Sequence, residues 1–198
     1  MTYSDFCTIA HASPDSVVLM EGRRTISSEG AHCATTFAQK LAREFPQLRF
    51  RSGNATGADA AFSAGVAQVD PRRLQIVAPY ATHRKSARIA GTNYVSVEIL
   101  TTEQESQIAA KTVAASPACK DLIETRGRNK AFAAKAAYLL RDTMKVVGHS
   151  EDFPKPRVAF FWIDPTKPHA GGTGHTIRVC RQEGIPCVFQ NDWENWCS

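Results

Sequence analysis

The sequence predicts an α/β fold: a mainly parallel sheet with helices on both faces, three layers in all. Three observations carry this. Short apolar runs alternate with stretches of helical period, the connections between them are short, and two glycine-rich segments each follow a run of strand character. The chain has 198 residues, and its 43% apolar content is enough for one core.

Ser16-Val17-Val18-Leu19-Met20 is a short apolar run of the kind that forms a fully buried strand, ending at Gly22. From about 28 to 44, Ala31, Ala34, Phe37, Ala38, Leu41 and Ala42 fall near one helical face. Leu48-Arg49-Phe50-Arg51-Ser52 is a second strand, residues 58–66 form a helix of small side chains, and Leu74-Gln75-Ile76-Val77-Ala78-Pro79 is a third strand closed by proline. This β-α-β-α-β order implies crossover helices and a parallel sheet. The middle is less regular: helices are expected at 86–90 and 102–115, and one long alanine-rich helix at 121–147. Residues 157–163 are a strong strand, 176–183 a helix capped by Gly184, and 185–189 the last strand. Residues 1–15 are expected to be an N-terminal arm or peripheral helix. Residues 16–198 form a single domain with a helical insertion at about 84–150.

The net charge of +5, from 24 Lys and Arg against 19 Asp and Glu, is scattered in short clusters such as Arg23-Arg24 and His83-Arg84-Lys85. A surface or pocket that attracts phosphate is consistent with it. None of the six cysteines forms a Cys-x-x-Cys pair, so no metal is expected, and they read as reduced thiols. No apolar run is long enough to cross a membrane, and the start lacks the pattern of a secretory signal. The expected location is the cytoplasm.

In a parallel sheet, ligands sit beyond the carboxyl ends of the strands. Both glycine segments belong there, each opening a helix whose first N–H groups are unsatisfied and attract anions. The first is Ser52-Gly53-Asn54-Ala55-Thr56-Gly57-Ala58-Asp59, with Asp59 at the helix start. The second is Gly171-Gly172-Thr173-Gly174-His175-Thr176. Neither has Walker or dinucleotide-fingerprint spacing. Gly22, Arg23, Arg141 and Arg178 complete the expected phosphate-binding set, arginine offering a planar donor fork. His175, Glu21 and Asp164 are the candidates for acid–base work, and Trp162 is placed to stack a base or to fill the core.

These residues resemble the SLOG superfamily, which groups the Rossmann-like domain of DNA-processing protein A with the LOG nucleotide hydrolases. Gly22-Arg23-Arg24 is similar to the Gly-Ser-Arg-Arg turn after the first strand of that family. The first glycine segment is similar to Ser-Gly-x-Ala-x-Gly-x-Asp. Small phage and bacterial proteins of the DNA-processing-protein-A-like type share the later order: Arg141-Asp142 through Gly148, then Phe161-Trp162-Ile163, then Gly171-Gly172-Thr173-Gly174 and Ile177-Arg178. The departures are Asp142 where Asn is usual and Ile163 where Thr is usual.

The resemblance implies a three-layer Rossmann-like domain and a nucleotide or nucleotide-derived, phosphate-bearing ligand at both glycine loops, in a sensor role, with no cofactor. It leaves open a nucleotide N-glycosidase or phosphoribohydrolase-like enzyme with non-standard residues, and a DNA-binding protein related to DNA-processing protein A. A homo-oligomer, a dimer, is the expected assembly. The LOG motif Gly-Gly-x-Gly-Thr-x-x-Glu aligns its glutamate with Arg178 and its Thr with His175. A cation there cannot act as the usual acid, so LOG-type hydrolysis is disfavoured.

Overall fold

The computed structural model describes residues 1–12, 16–53 and 55–197. The elements run α1 (Tyr3–His11), β1 (Val17–Gly22), α2 (Ser28–Glu44), β2 (Arg49–Gly53), α3 (Ala58–Ala67), β3 (Leu74–Ala78), β4 (Asn93–Ser96), α4 (Thr102–Ala115), α5 (Lys120–Glu124), α6 (Lys130–Val147), β5 (Val158–Trp162), α7 (Gly171–Gln182), β6 (Cys187–Phe189) and α8 (Gln190–Trp193). The strands form one six-stranded sheet in the order β4-β3-β2-β1-β5-β6, and every pairing is parallel. This is the α/β, Rossmann-like architecture expected from the alternation of strands and helices.

All six residues of β1 are buried, because helices cover both faces of the sheet. Side chains of a strand alternate between faces. Val18, Met20, Phe50, Ile76, Phe160 and Val188 point to one face and join α1, α2, α3 and Trp193 of α8 in one core. Leu19, Ala159 and Phe161 point to the other face, against α6 and α7, while Val77 meets α4, α5 and α6. Trp193 is wholly buried, stacks on Phe37 and donates its indole N–H to the Phe161 carbonyl at 3.2 Å. Among the described residues, no helix is long and apolar enough to cross a membrane.

Local signals account for the helix starts. The hydroxyl of Ser27 accepts from Gly30 N at the head of α2, and Thr101 and Gln104 form a reciprocal capping box at α4. The structure differs from the sequence reading in four places. The long helix expected over 121–147 is broken into α5 and α6, because Asn129 is an extended cap whose side chain accepts from Phe132 N at 2.8 Å. The helix expected at 86–90 is a single 3-10 turn, Lys85–Ala87. β4, a half-buried edge strand, was not expected from the irregular middle. The second glycine segment is not a loop. Gly171 through Thr176 are the first turns of α7, and the loop is the preceding segment, 163–170.

Residues 3–11 fold as α1, whose Phe6 is wholly buried. The Phe6 ring meets Phe160 edge-on at 5.2 Å, and Phe37 meets Phe160 at 5.1 Å. Phe160 therefore joins α1, α2 and β5 at one point. Replacing Phe160 with Ala is expected to lower stability by about 3–5 kcal/mol. Urea denaturation measures this, and a loss below about 1 kcal/mol would show that the ring cluster is not a determinant of the fold.

Candidate functional site

β1 is the topological switch point. The chain builds the sheet outward from β1 through β2, β3 and β4, then returns to place β5 on its other side. A crevice opens where the crossovers diverge, beyond the carboxyl ends of β1 and β5. Gly22 and Trp162 end these strands in register. A cavity of about 790 Å³ lies there, with Glu21, Gly22, Asp59, Arg141 and Asp142 among the residues at its floor and Arg23, Arg24, Lys135 and Lys167 around it.

The floor is a buried cluster of three carboxylates and two cations. Lys145 bonds Glu21 and lies 2.9 Å from Asp142 Oδ1. Arg141 Nε lies 2.9 Å from the same Asp142 oxygen. Thr176 donates to Glu21 Oε1 at 3.0 Å, and the Gly22 N–H donates to Asp59 Oδ1 at 3.0 Å. The cluster thus joins β1, α3, α6 and α7. Burial opposes the charge of Asp142, yet Arg141 and Lys145 outweigh it and hold the carboxyl below its usual range. Burial raises Asp59, and raises Glu21 to about 7 against the pull of Lys145. Arg141 has only 6% of its side-chain surface exposed, and its Nη1 has no hydrogen-bond partner among the described residues.

The rim is basic and open. Arg23 pairs with Asp164 at 3.3 Å. Arg24 and Arg141 both lie close to the Tyr138 ring, at 5.9 and 5.8 Å from its centroid. Lys135 and Lys167 are exposed and form no ion pair among the described residues. The first turn of α7 opens onto the cavity through Gly171, Gly172 and Thr173, and no side chain caps it. A side chain at 172 would meet Asp142 Oδ2, which lies 2.8 Å from where its Cβ would stand. Glycine there lets the Asp142 carboxylate lie against the positive end of the helix.

The other expected residues divide between cavity and scaffold. Ala55 lines the cavity. Asn54 lies outside the described residues. Ser52 donates to the Met20 carbonyl at 2.8 Å, bracing β2 against β1. Gly53 ends β2, and Gly57 begins α3 without a side-chain cap. Gly174 packs against the His169 carbonyl, which lies 2.0 Å from a Cβ placed there. His175 does not line the cavity. It is buried, with Nδ1 bonded to Ser116 Oγ at 2.8 Å and Nε2 to Thr143 Oγ1 at 2.9 Å. Arg178 turns the same way, donating to the Ala115 carbonyl at 2.9 Å, to Ser116 Oγ at 2.7 Å and to the His169 carbonyl at 3.2 Å. Helix periodicity explains the separation: Gly171 through Thr173 face the crevice, whereas His175 and Arg178 lie further along α7, against α4.

Tyr138, Lys135, Lys145 and Lys167 were missed by the sequence reading. A signal existed for α6, where Arg141, Asp142 and Lys145 sit among apolar residues on the face that must pack on the sheet. Among the described residues, no group of three or more His, Cys, Asp or Glu is arranged to hold a metal ion.

Two of the buried titratable groups, His175 and Glu21, act oppositely on stability. Burial lowers His175 to about 4, so the unfolded chain, whose histidines bind a proton near pH 6.5, gains protons first. Stability from His175 is therefore full above about pH 6.5 and is lost toward pH 4. Glu21, raised to about 7, does the reverse: its contribution is full below about pH 4.3 and is lost as pH rises to 7. Each is worth roughly 3 kcal/mol at most. In the wild type these two contributions oppose each other over this range. His175→Gln should make stability fall as pH rises from 4.5 to 7, and Glu21→Gln should make it fall as pH drops from 6.5 to 4. Urea titrations at stepped pH measure both, and variant profiles parallel to the wild type would disprove the assignment.

No protein-family model matches the chain, and no curated protein matches it. Two solved structures are similar. One is DNA processing protein A from Helicobacter pylori, described for its single-stranded DNA binding mode, with 12% identity and a TM-score of 0.49 over 92% of this chain and 67% of that one. The other is DNA processing protein A from Streptococcus pneumoniae, with 14% identity and a TM-score of 0.38 over 94% of this chain and 62% of that one. The chain thus spans about two thirds of the length of those proteins, and its likeness to them is one of fold.

Proposed function

We propose that the chain binds a nucleotide or nucleotide-derived ligand in the cavity at the β1–β5 switch point, with its phosphate between the first turn of α7 and the basic rim. One observation carries the reading: the uncapped glycine turn of α7 opens onto the same cavity as the buried Arg141 guanidinium, whose Nη1 lacks a partner among the described residues. Helix N-termini and arginine forks are general solutions for phosphate. A volume of about 790 Å³ falls within the size of small-molecule sites. The carboxylates of the floor do not bar an anion at the rim, because Arg141 and Lys145 offset most of their charge. The half-buried Tyr138 ring, beside two guanidinium groups, offers a face to a base.

The hydrolase alternative loses two of its three candidates, since His175 is held away from the cavity and both oxygens of Glu21 are already bonded; Asp164 lines the cavity but pairs with Arg23. The DNA-binding alternative has one observation in its favour. The basic rim continues past β3, where the His83 ring meets Tyr138 edge-on at 5.7 Å and Tyr80 at 5.3 Å, next to Arg84 and Lys85. Aromatic rings interleaved with cations suit a single strand.

A thermal-shift panel of nucleoside mono-, di- and triphosphates and short oligonucleotides separates the two readings. A nucleotide at 100 times its Kd should add about 2.7 kcal/mol, a rise in Tm of roughly 5–10 °C for a domain of this size. Arg24→Ala and Lys167→Ala should each weaken binding about 5- to 10-fold. A shift seen with oligonucleotides alone, steeply dependent on salt, would replace the nucleotide reading with the strand reading.

A further inference from the structure

The cavity at the β1–β5 switch point carries its charges in two layers. Four carboxylates line it: Glu21, Asp59, Asp142 and Asp164. The first three belong to the floor. There Lys145 bonds Glu21, and both Lys145 and Arg141 lie 2.9 Å from Asp142 Oδ1. Three acids thus meet two cations at depth. At the rim the balance is reversed. Asp164 is the one carboxylate there among the described residues, and it pairs with Arg23 at 3.3 Å. Arg24, Lys135 and Lys167 line the same rim and have no ion-pair partner among the described residues.

These three cations come from separate parts of the chain. Arg24 follows β1, Lys135 stands on α6, and Lys167 lies in the segment between β5 and α7. The fold brings them to the mouth of one cavity. A cleft lined by charges of one sign concentrates its field and draws counter-ions of high charge. A phosphate monoester carries about two negative charges near neutral pH, and each further phosphate of an anhydride chain adds about one. One phosphate suffices for the buried Arg141, whose Nη1 has no hydrogen-bond partner among the described residues, and for the uncapped turn of α7. It leaves the rim cations unmatched. The cavity has room for more, since about 790 Å³ lies in the upper part of the range of small-molecule sites.

We infer that the anionic part of the ligand is a phosphoanhydride chain, as in a nucleoside di- or triphosphate. Arg141 and the first turn of α7 meet one phosphate, and Arg24, Lys135 and Lys167 meet the others. The inference rests on the nucleotide reading above and adds the number of phosphates to it.

Isothermal titration calorimetry of the full chain at low salt tests this, with EDTA present to keep divalent cations off the phosphates. The probes are the 5′-mono-, di- and triphosphates of adenosine and guanosine, and inorganic tripolyphosphate. In both nucleoside series, affinity is expected to rise about fivefold with each added phosphate, the upper worth of one exposed ion pair. The salt dependence should steepen in step. Lys135 and Lys167 are exposed, and Lys135→Ala and Lys167→Ala should each shrink the triphosphate-to-monophosphate affinity ratio about fivefold. Monophosphates and triphosphates that bind with equal affinity would overturn the inference and leave the nucleotide reading standing. A ratio unchanged in both lysine variants would overturn it as well. Tripolyphosphate binding as tightly as the nucleoside triphosphates would instead remove the nucleoside and support the phosphate chain. No binding of any probe overturns both.

Discussion

The structure depends on the ion cluster at the carboxyl end of β1. Lys145 of α6 reaches under the sheet edge to Glu21 and Asp142, while Arg141 lies against Asp142 from the preceding turn. Removing such charges from water costs several kcal/mol per ion, and only close pairing offsets it. The cluster therefore cannot loosen by degrees. With Lys145 in place, β1 and α6 are fixed; Thr176 adds α7 and Gly22 adds the start of α3 through Asp59. Arg51 extends the same logic to β2. It is wholly buried without a carboxylate partner among the described residues, donates to the Lys145 and Pro154 carbonyls and to Gln75, and lies 3.5 Å from the centre of the Phe153 ring. Burial lowers it to about 9.

This arrangement divides the cavity by charge. The interior holds three acids, of which Glu21 and Asp142 are paired with Lys145 and Arg141, whereas Arg24, Lys135 and Lys167 remain at the mouth. An anion is repelled by the carboxylates at depth and attracted by the exposed cations at the rim. Asp142 sharpens the division. It stands against the first turn of α7 and uses part of the field that would otherwise draw an anion inward.

Strand identity was legible in the sequence where buried parallel strands are nearly continuous apolar runs, as in β1, β3 and β5; β2, Arg49–Gly53, has polar residues at 49, 51 and 52 around Phe50 and is buried all the same. The edge strand β4, Asn93–Ser96, lacks such a run, since one side of an edge strand needs no apolar cover. The glycine turns were legible as sites of close backbone approach. What could not be read was which way the residues after them face. His175 and Thr176 are adjacent in sequence, yet one bonds Ser116 and Thr143 while the other bonds Glu21. The packing of α4 and α6 decides that, and the partner residues lie 59 and 32 residues earlier in the chain.

The same packing explains the cation at 178. Here Arg178 meets the last turn of α4, donating to the carbonyl of Ala115, the final residue of that helix, and to Ser116 beyond it. A helix end presents unsatisfied carbonyls and a partial negative charge, which favour a cation and oppose a carboxylate. An acid at 178 would be repelled by the partial negative charge of that end. The arginine is thus the residue that the α4–α7 contact requires, and the contact in turn turns this position away from the cavity. The arginine at 178 and the docking of α4 are two descriptions of one structural choice.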